Sequence, residues 1–435
     1  MNILKYPSKT EWPQIVQRPH SDIMELRKTV QTVLDDVREN GDEAIFKYEA
    51  KFDHVTLHSL TVSEEELKEA DSLISKELKD SLLLAHRNIS KFHESQRFES
   101  KHIETAPGVE CWQKSIAIEK VGLYIPGGTA PLFSTVLMLA TPAKIAGCKE
   151  IILCTPPNHE GKVHPAILVA ARIAGVNKIF KIGGIQAIGA MAYGTQSVPK
   201  VYKIFGPGNQ YIMTAKQMIS IHGVAIDMPA GPSEVCVIAD QYSSPGYIAA
   251  DLLSQAEHGI DSQVLLICTS ASIINLVQHE VEKQLATLPR RDIASKALNN
   301  SKIVLVKDID EAIELSNVYA PEHLILEIDQ WEAVVDKIVN AGSVFLGKWA
   351  CESVGDYASG TNHTLPTHGY AVAYSGVNLD SYTRKITFQH LTEEGIRSIG
   401  QTVVTMAVDE QLEAHANAMR IRLNDINRAT NGTIT

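Results

Sequence analysis

The sequence predicts an α/β protein with two Rossmann-like parallel-sheet domains, one inserted in the other, plus an N-terminal arm and a helical C-terminal tail. Three observations predict it. From about Gly122 onward, short apolar runs alternate with Ala-rich helical stretches, the pattern of parallel strands joined by crossover helices. Fourteen of the 27 glycines fall between Gly122 and Gly231, about a quarter of the chain, so a separate unit is expected there. Residues 391–430 read as helix only, amphipathic and too small to hold a core of their own.

Taken in order, residues 1–20 form the arm, and 22–48 and 63–97 are expected as helices. The second helix opens at Ser63 with Glu66 three residues later, a capping-box pattern. Its apolar residues Leu67, Leu73, Ile74, Leu78, Leu82 and Leu83 recur at helical spacing. EIILC, NKIFKI and KVYKIF then read as strands, and after Pro232 so do EVCVIA, QVLLIC and KIVLV. Helices are expected near 244–258, 271–287 and 308–319. The resulting division is 21–123 plus 234–377 as the larger domain, 124–233 as the insert, and 378–435 as a helical tail that must dock elsewhere. A chain of 435 residues is long enough for more than one core.

Composition narrows the function. Hydrophobic residues make up 44% and charged residues 21%, the balance of an ordinary soluble protein. No apolar run approaches the roughly 20 residues that span a bilayer, and MNILKYPSKTEWPQIVQRP lacks the apolar core of a signal peptide. A cytoplasmic protein with no membrane partner is expected. The net charge of -11 and the absence of a basic run argue against nucleic acid as a partner. Cys111, Cys148, Cys154, Cys236, Cys268 and Cys351 form no CxxC pair and read as reduced core residues. Any metal would therefore need His, carboxylate or amide ligands.

Five segments carry candidate chemistry. In VYKIFGPGNQYIMTAKQ a strand ends at Phe205, and a Gly206-Pro207-Gly208-Asn209 turn opens a helix. This is either a tight turn or a pyrophosphate site, where glycines let backbone N–H groups approach the anion. Asp227 falls near the spacing of a ribose-binding acid. Tyr124-Ile125-Pro126-Gly127-Gly128 and Gly183-Gly184-Ile185-Gln186 are further glycine turns after strands in the same unit, so a crevice at its strand ends is expected.

In SPGYIAADLLSQAEHG, Ser244 and Pro245 suit a helix start and Gly259 its end. Gln255 and His258, three apart, project from one face of the last turn, where the helix dipole favours a cation. His258 alone more commonly reads as a helix-end cap on its own carbonyls. Glu322 and His323, at the mouth of a strand, suit either a pair of general bases or a polar strand entrance. Asp356 and His363 lie in the Gly-rich loop ESVGDYASGTNHTLPT, which suits a functional loop or ordinary turns. In the tail, Leu412, His415, Ala416, Met419 and Leu423 form one stripe, so His415 points toward whatever the helix packs on, as a core histidine or at another subunit.

The segment IDMPAGPSEVCVIAD running into DLLSQAEHG, residues 226–259, closely resembles the signature region of histidinol dehydrogenases. LYIPGGTAP, FGPGNQY, YAPEHL and GDYASGTNHTLPT resemble that family too, in its order and at its spacings. The resemblance spans nearly the whole chain. It implies that Gln255, His258, Asp356 and His415 bind one zinc ion, His415 coming from the neighbouring subunit of a homodimer. It implies substrate contacts from Ser233, Glu410 and His323 as well as the zinc ligands, and NAD contacts from Tyr124, Gln186 and Asn209. Asp227 has no ribose role in it.

The activity the resemblance implies is oxidation of L-histidinol through L-histidinaldehyde to L-histidine with two NAD, the last steps of histidine biosynthesis. His323 would take the alcohol proton, Glu322 would activate the water that adds to the aldehyde, and the zinc would anchor substrate rather than activate water. The rival readings are a zinc hydrolase, which has no HExxH here and no use for the glycine turns, and a non-catalytic dinucleotide-binding protein, which leaves both residue pairs idle.

Overall fold

The α/β expectation holds. The computed structural model describes residues 1–18, 23–127, 130–176 and 178–431. Gly128 of the first glycine turn, Asp22 at the expected helix start, the last two residues of the arm and Asn177 lie outside the described residues. The chain divides into one unit of Met1–Gln96 with Ile118–Tyr382 and a second of Arg97–Ala117 with Thr383–Thr435.

Among the described residues the strands in chain order are β1 (Asn2–Lys5), β2 (Ile103–Ala106), β3 (Val109–Ala117), β4 (Lys120–Tyr124), β5 (Glu150–Thr155), β6 (Lys178–Lys181), β7 (Lys203–Phe205), β8 (Ala225–Ile226), β9 (Glu234–Ala239), β10 (Gln263–Cys268), β11 (Lys302–Leu305), β12 (His323–Glu327), β13 (Ser343–Leu346) and β14 (Thr383–Leu391). The first unit contains two parallel sheets, β1-β11-β10-β9-β12-β13 and β6-β5-β4-β7-β8. In each, the chain builds outward from a central strand and then returns to its other side, so a switch point falls between β9 and β12 and another between β4 and β7.

Burial on both faces explains the continuous apolar runs. In the six-stranded sheet, Val235, Val237, Val264 and Leu266 face one core with the helices Pro245–Ala256 and Ala271–Leu285. Cys236, Ile238, Leu265 and Ile267 alternate to the other face, against the helix Ile309–Tyr319 and Trp12 of the arm. The helices Pro245–Ala256, Ala271–Leu285 and Ile309–Tyr319 match expectation closely, and a further helix, Arg291–Asn299, fills the connection to β11.

Two long helices expected from the sequence are broken. The first divides into Ile23–Asn40 and Asp42–Tyr48 at Gly41, which has φ +57°, a conformation glycine adopts without a Cβ penalty. The second divides into Glu64–Glu69 and Lys76–Glu94, because Ser75 caps a new start by accepting from Leu78 N at 3.1 Å. The expected Ser63–Glu66 capping box forms. The sequence places residues 21–123 with the larger domain, but Val30, Val33, Leu34 and Val37 pack with Ile188 of the helix Gly184–Tyr193 and with Ile204 of the five-stranded sheet. Matching apolar faces rather than chain order decides that placement.

The second unit opens with a feature that periodicity did not predict: β14 pairs antiparallel along its whole length with β3, which also pairs β2. The helices Glu393–Asp409 and Glu413–Asn431 follow as expected. Ala416, Met419 and Leu423 pack with Val404 and Ala407 of the preceding helix, giving the tail a small core of its own. Leu412 and His415 leave that stripe and are exposed.

Candidate active site

Two sets of predicted residues gather in the first unit. The carboxyl edge of the five-stranded sheet carries the glycine turns. Tyr124 ends β4, and its hydroxyl accepts from Gly184 N at 3.3 Å. Gly206 follows β7, across the switch point, with φ +135°, and a Cβ there would lie 2.1 Å from Tyr124 O, so only glycine fits. Asn209 caps the helix Gln210–Ser220, its Oδ1 accepting from Tyr211 N at 3.0 Å and Ile212 N at 3.2 Å. Gln186 is fully buried; its Nε2 donates to Glu49 Oε1 at 2.9 Å, while its Oε1 has no hydrogen-bond partner among the described residues. Burial pushes the Glu49 carboxyl up to about 7, against the hydrogen bonds from Gln186 and Gly183. Asp227 does not face open solvent as a ribose ligand would. It is buried against Lys216 and accepts from Gly206 N at 2.9 Å, so it anchors the turn.

The second set lies at the amino ends of β9 and β12, where the helix Pro245–Ala256 delivers its last turn. Ser244 caps that helix through its backbone position, its own N–H donating to Glu327 at 3.0 Å. Gly259 has no left-handed φ and does not terminate it; Glu257 is the cap and His258 lies just beyond. Gln255 Nε2 stands 3.0 Å from His323 Nδ1, 3.4 Å from Glu322 Oε2 and 3.1 Å from Glu234 O. Although adjacent residues in an extended chain diverge, Glu322 precedes the strand proper and its Oε2 comes within 3.6 Å of His323 Nδ1. Glu234 N donates to the same oxygen at 2.9 Å. Ser233, directly before Glu234, is half-buried at the rim.

On the other side of the ring, His323 Nε2 lies 3.5 Å from Asp356 Oδ1, and neither atom has a hydrogen-bond partner among the described residues. His258, Glu352 and Asp356 each offer a ligand atom within 4.8 Å of the others. Two orphaned polar atoms beside a His/Glu/Asp donor set fit a bound cation, which would supply the missing partner. Glu352 escaped the sequence reading. It stands four residues before Asp356, and that spacing on the helix Glu352–Tyr357 was the available signal. His363 is outside the donor set but adjoins it: its Nδ1 contacts Asp356 O at 2.9 Å and its Nε2 contacts Thr135 Oγ1 at 3.1 Å.

The electrostatics follow from crowding. Burial would lower His323, but Glu322, Asp356 and Glu352 outweigh it and hold the imidazole well above its usual range. Burial raises Glu352 strongly, with Asp356 and Glu322 adding to it against His323. Asp356 is lowered despite its burial, chiefly by the adjacent His323 ring and by His363. The cluster thus joins an imidazole and three carboxyl groups, each shifting its neighbours' hold on a proton, an arrangement suited to moving protons at a fixed point. Glu410 and His415 lie in the second unit, Glu410 as the cap of the helix Glu393–Asp409 and His415 exposed near the start of the last helix.

Comparison with known proteins agrees with the motifs. The family described as histidinol dehydrogenase matches residues 16–423. Histidinol dehydrogenase of Bacteroides thetaiotaomicron is 62% identical over 426 residues, 98% of this chain and 100% of that protein. The Escherichia coli K12 enzyme of that name is 50% identical over 414 residues, 94% of each chain. The crystal structure of histidinol dehydrogenase from Elizabethkingia anophelis superposes with a TM-score of 0.96 at 52% identity, covering 98% of this chain and 99% of that one. Sequence, motifs and fold agree from end to end, and the chain belongs to the histidinol dehydrogenase family.

Proposed function

We propose that this chain oxidises L-histidinol through L-histidinaldehyde to L-histidine, the closing steps of histidine biosynthesis. The observation that carries the reading is the buried Gln255–Glu322–His323–Asp356 cluster in a chain of this family. NAD, one molecule for each oxidation, would supply the hydride acceptor. The crevice at the β4/β7 switch point suits it: Gly206 admits close backbone approach, the Asn209 helix start favours a pyrophosphate, and the buried Gln186 Oε1 lacks a partner. Tyr124, Gln186 and Asn209 are the proposed contacts.

Gln255, His258 and Asp356 would hold a zinc ion with the partner's His415, and the ion would anchor the substrate's imidazole and amino group. Ser233 and Glu410 would complete the substrate's surroundings, which makes the working form a homodimer with shared sites. Six free cysteines suit the reducing cytoplasm; among the described residues no helix is long and apolar enough to cross a membrane.

The residues then divide the proton work. A cation on the neighbouring carboxylates would offset the field that raises His323, leaving the ring, whose Nδ1 lies 3.3 Å from the Glu234 carbonyl, able to take the alcohol proton as the carbinol is oxidised. Glu322 draws a proton from the water that adds to the aldehyde, and its environment supports this: one oxygen is held by Glu234 N, so the carboxyl cannot swing away. His323, once it has released the first proton to solvent, takes the next from the resulting gem-diol. Fixing the imidazole ring of the substrate keeps the aldehyde in place between steps. The test is direct: purified protein with L-histidinol and NAD should form two NADH for each L-histidine. Failure to form NADH would overturn the reading.

A further inference from the structure

We infer that Arg18, in the N-terminal arm, is a positioning residue for the Glu322–His323 pair and acts through Glu234; the inference rests on the catalytic reading of that pair. Glu234 is the hub. Its N–H donates to Glu322 Oε2 at 2.9 Å, and its carbonyl accepts from Gln255 Nε2 at 3.1 Å and lies 3.3 Å from His323 Nδ1. One peptide unit on each side of a single residue therefore touches three members of the cluster. Where that backbone sits decides where the carboxylate and the imidazole sit.

The Glu234 side chain is what fixes the backbone. It is almost fully buried and receives Arg18 in a two-pronged grip, Nε to Oε1 at 2.8 Å and Nη2 to Oε2 at 2.9 Å. His368 N donates to Oε1 at 2.9 Å. Such paired charge-assisted bonds define an orientation as well as a distance. Arg18 Nη2 also donates to Tyr319 O at 2.6 Å, and its guanidinium stacks 4.2 Å from the Tyr319 ring centroid. Tyr319 lies three residues before Glu322. Arg18 thus clasps both segments that carry the site: the start of β9, with Ser233 and Glu234, and the approach to β12, with Glu322 and His323. The 216 and 301 residues of sequence between these partners make the clasp invisible to motif reading.

The experiment compares the parent with Arg18→Met, Arg18→Lys and Glu322→Gln in the zinc-loaded full-length protein. Rates are expressed per folded, metal-containing protomer, with L-histidinol and with L-histidinaldehyde as substrates. Loosening the hub should lower kcat for both substrates about 10- to 100-fold, with KM for substrate and NAD within about twofold. Arg18→Lys, which keeps a charged donor but not the fork, should recover part of the loss. If Arg18→Met keeps its kcat per folded protomer, or loses only in KM, positioning is refuted and Arg18 merely stabilises the fold. If Arg18→Met does not fold, Arg18→Lys decides by the same kcat-against-KM split. If Glu322→Gln spares both half-reactions, the catalytic reading itself fails. If it does not and Arg18 variants are unaffected, only the positioning inference fails.

Discussion

Replacing Lys216 with methionine tests how the cofactor turn is built. Lys216 and Asp227 form an ion pair with both side chains about 1% exposed. Lys216 Nζ also donates to Gly206 O at 2.8 Å, while Asp227 accepts from Gly206 N at 2.9 Å and from Met228 N at 2.8 Å. The pair thus holds Gly206 from both sides. Methionine fills the same volume but leaves the Asp227 carboxylate without its counter-charge. Breaking a buried pair from one side costs about 3–5 kcal/mol. With an unfolding entropy of about 2.1 cal/mol/K per residue over a unit of this size, the melting temperature should fall by roughly 5 °C. Weaker NAD binding should accompany it, because the turn loses an anchor. Calorimetry and NAD titration measure the two effects. Adding Asp227→Asn to Lys216→Met removes the stranded charge while keeping an acceptor, and should restore more than half the lost stability. If the double variant is no more stable than the single one, uncompensated charge is not the cause and the argument fails.

Three further outcomes are expected. Glu49 binds its proton more tightly folded, at about 7, than its ordinary value of 4.5, so the parent loses stability as pH rises through that window. Glu49→Gln keeps an acceptor for Gly183 N and should remove up to about 3 kcal/mol of that loss; parallel urea-stability curves for parent and variant between pH 4.5 and 8 would contradict this. Glu322→Gln should spare the first oxidation and slow aldehyde oxidation by about 100-fold or more; equal loss in single-turnover assays of both steps would remove Glu322 from its water-activating role. His415→Asn should lower zinc content while the protein stays folded, and a mixed dimer with His258→Asn protomers should regain one working site; full zinc in the variant, or no regained activity, would refute shared ligation.

Much of the site was legible because its chemistry is local. Gln255 and His258 share a helix end, Glu322 and His323 are neighbours, and the glycine turns follow strands at short range. The strands were legible for the same reason, since burial on both faces leaves continuous apolar runs such as EVCVIA and QVLLIC. Helix breaks were not: Gly41 and Ser75 act through φ and a single cap, and a helical period continues straight through both. The β14–β3 pairing was missed because β14 alternates half-buried and exposed residues weakly and its partner lies some 270 residues earlier.

By itself, then, the sequence determined the α/β class, the order of most elements and the residue types able to handle protons, a cation and a dinucleotide, because each depends on neighbours a few positions apart. Only the tertiary structure decided which of them meet. It turned Asp227 from a possible ribose ligand into the buried partner of Lys216, brought Glu352 beside His258 and Asp356, and made Glu234 the hub beneath Glu322 and His323. Those outcomes depend on contacts between residues far apart in the chain, which are set when apolar faces pack and buried polar groups must find partners.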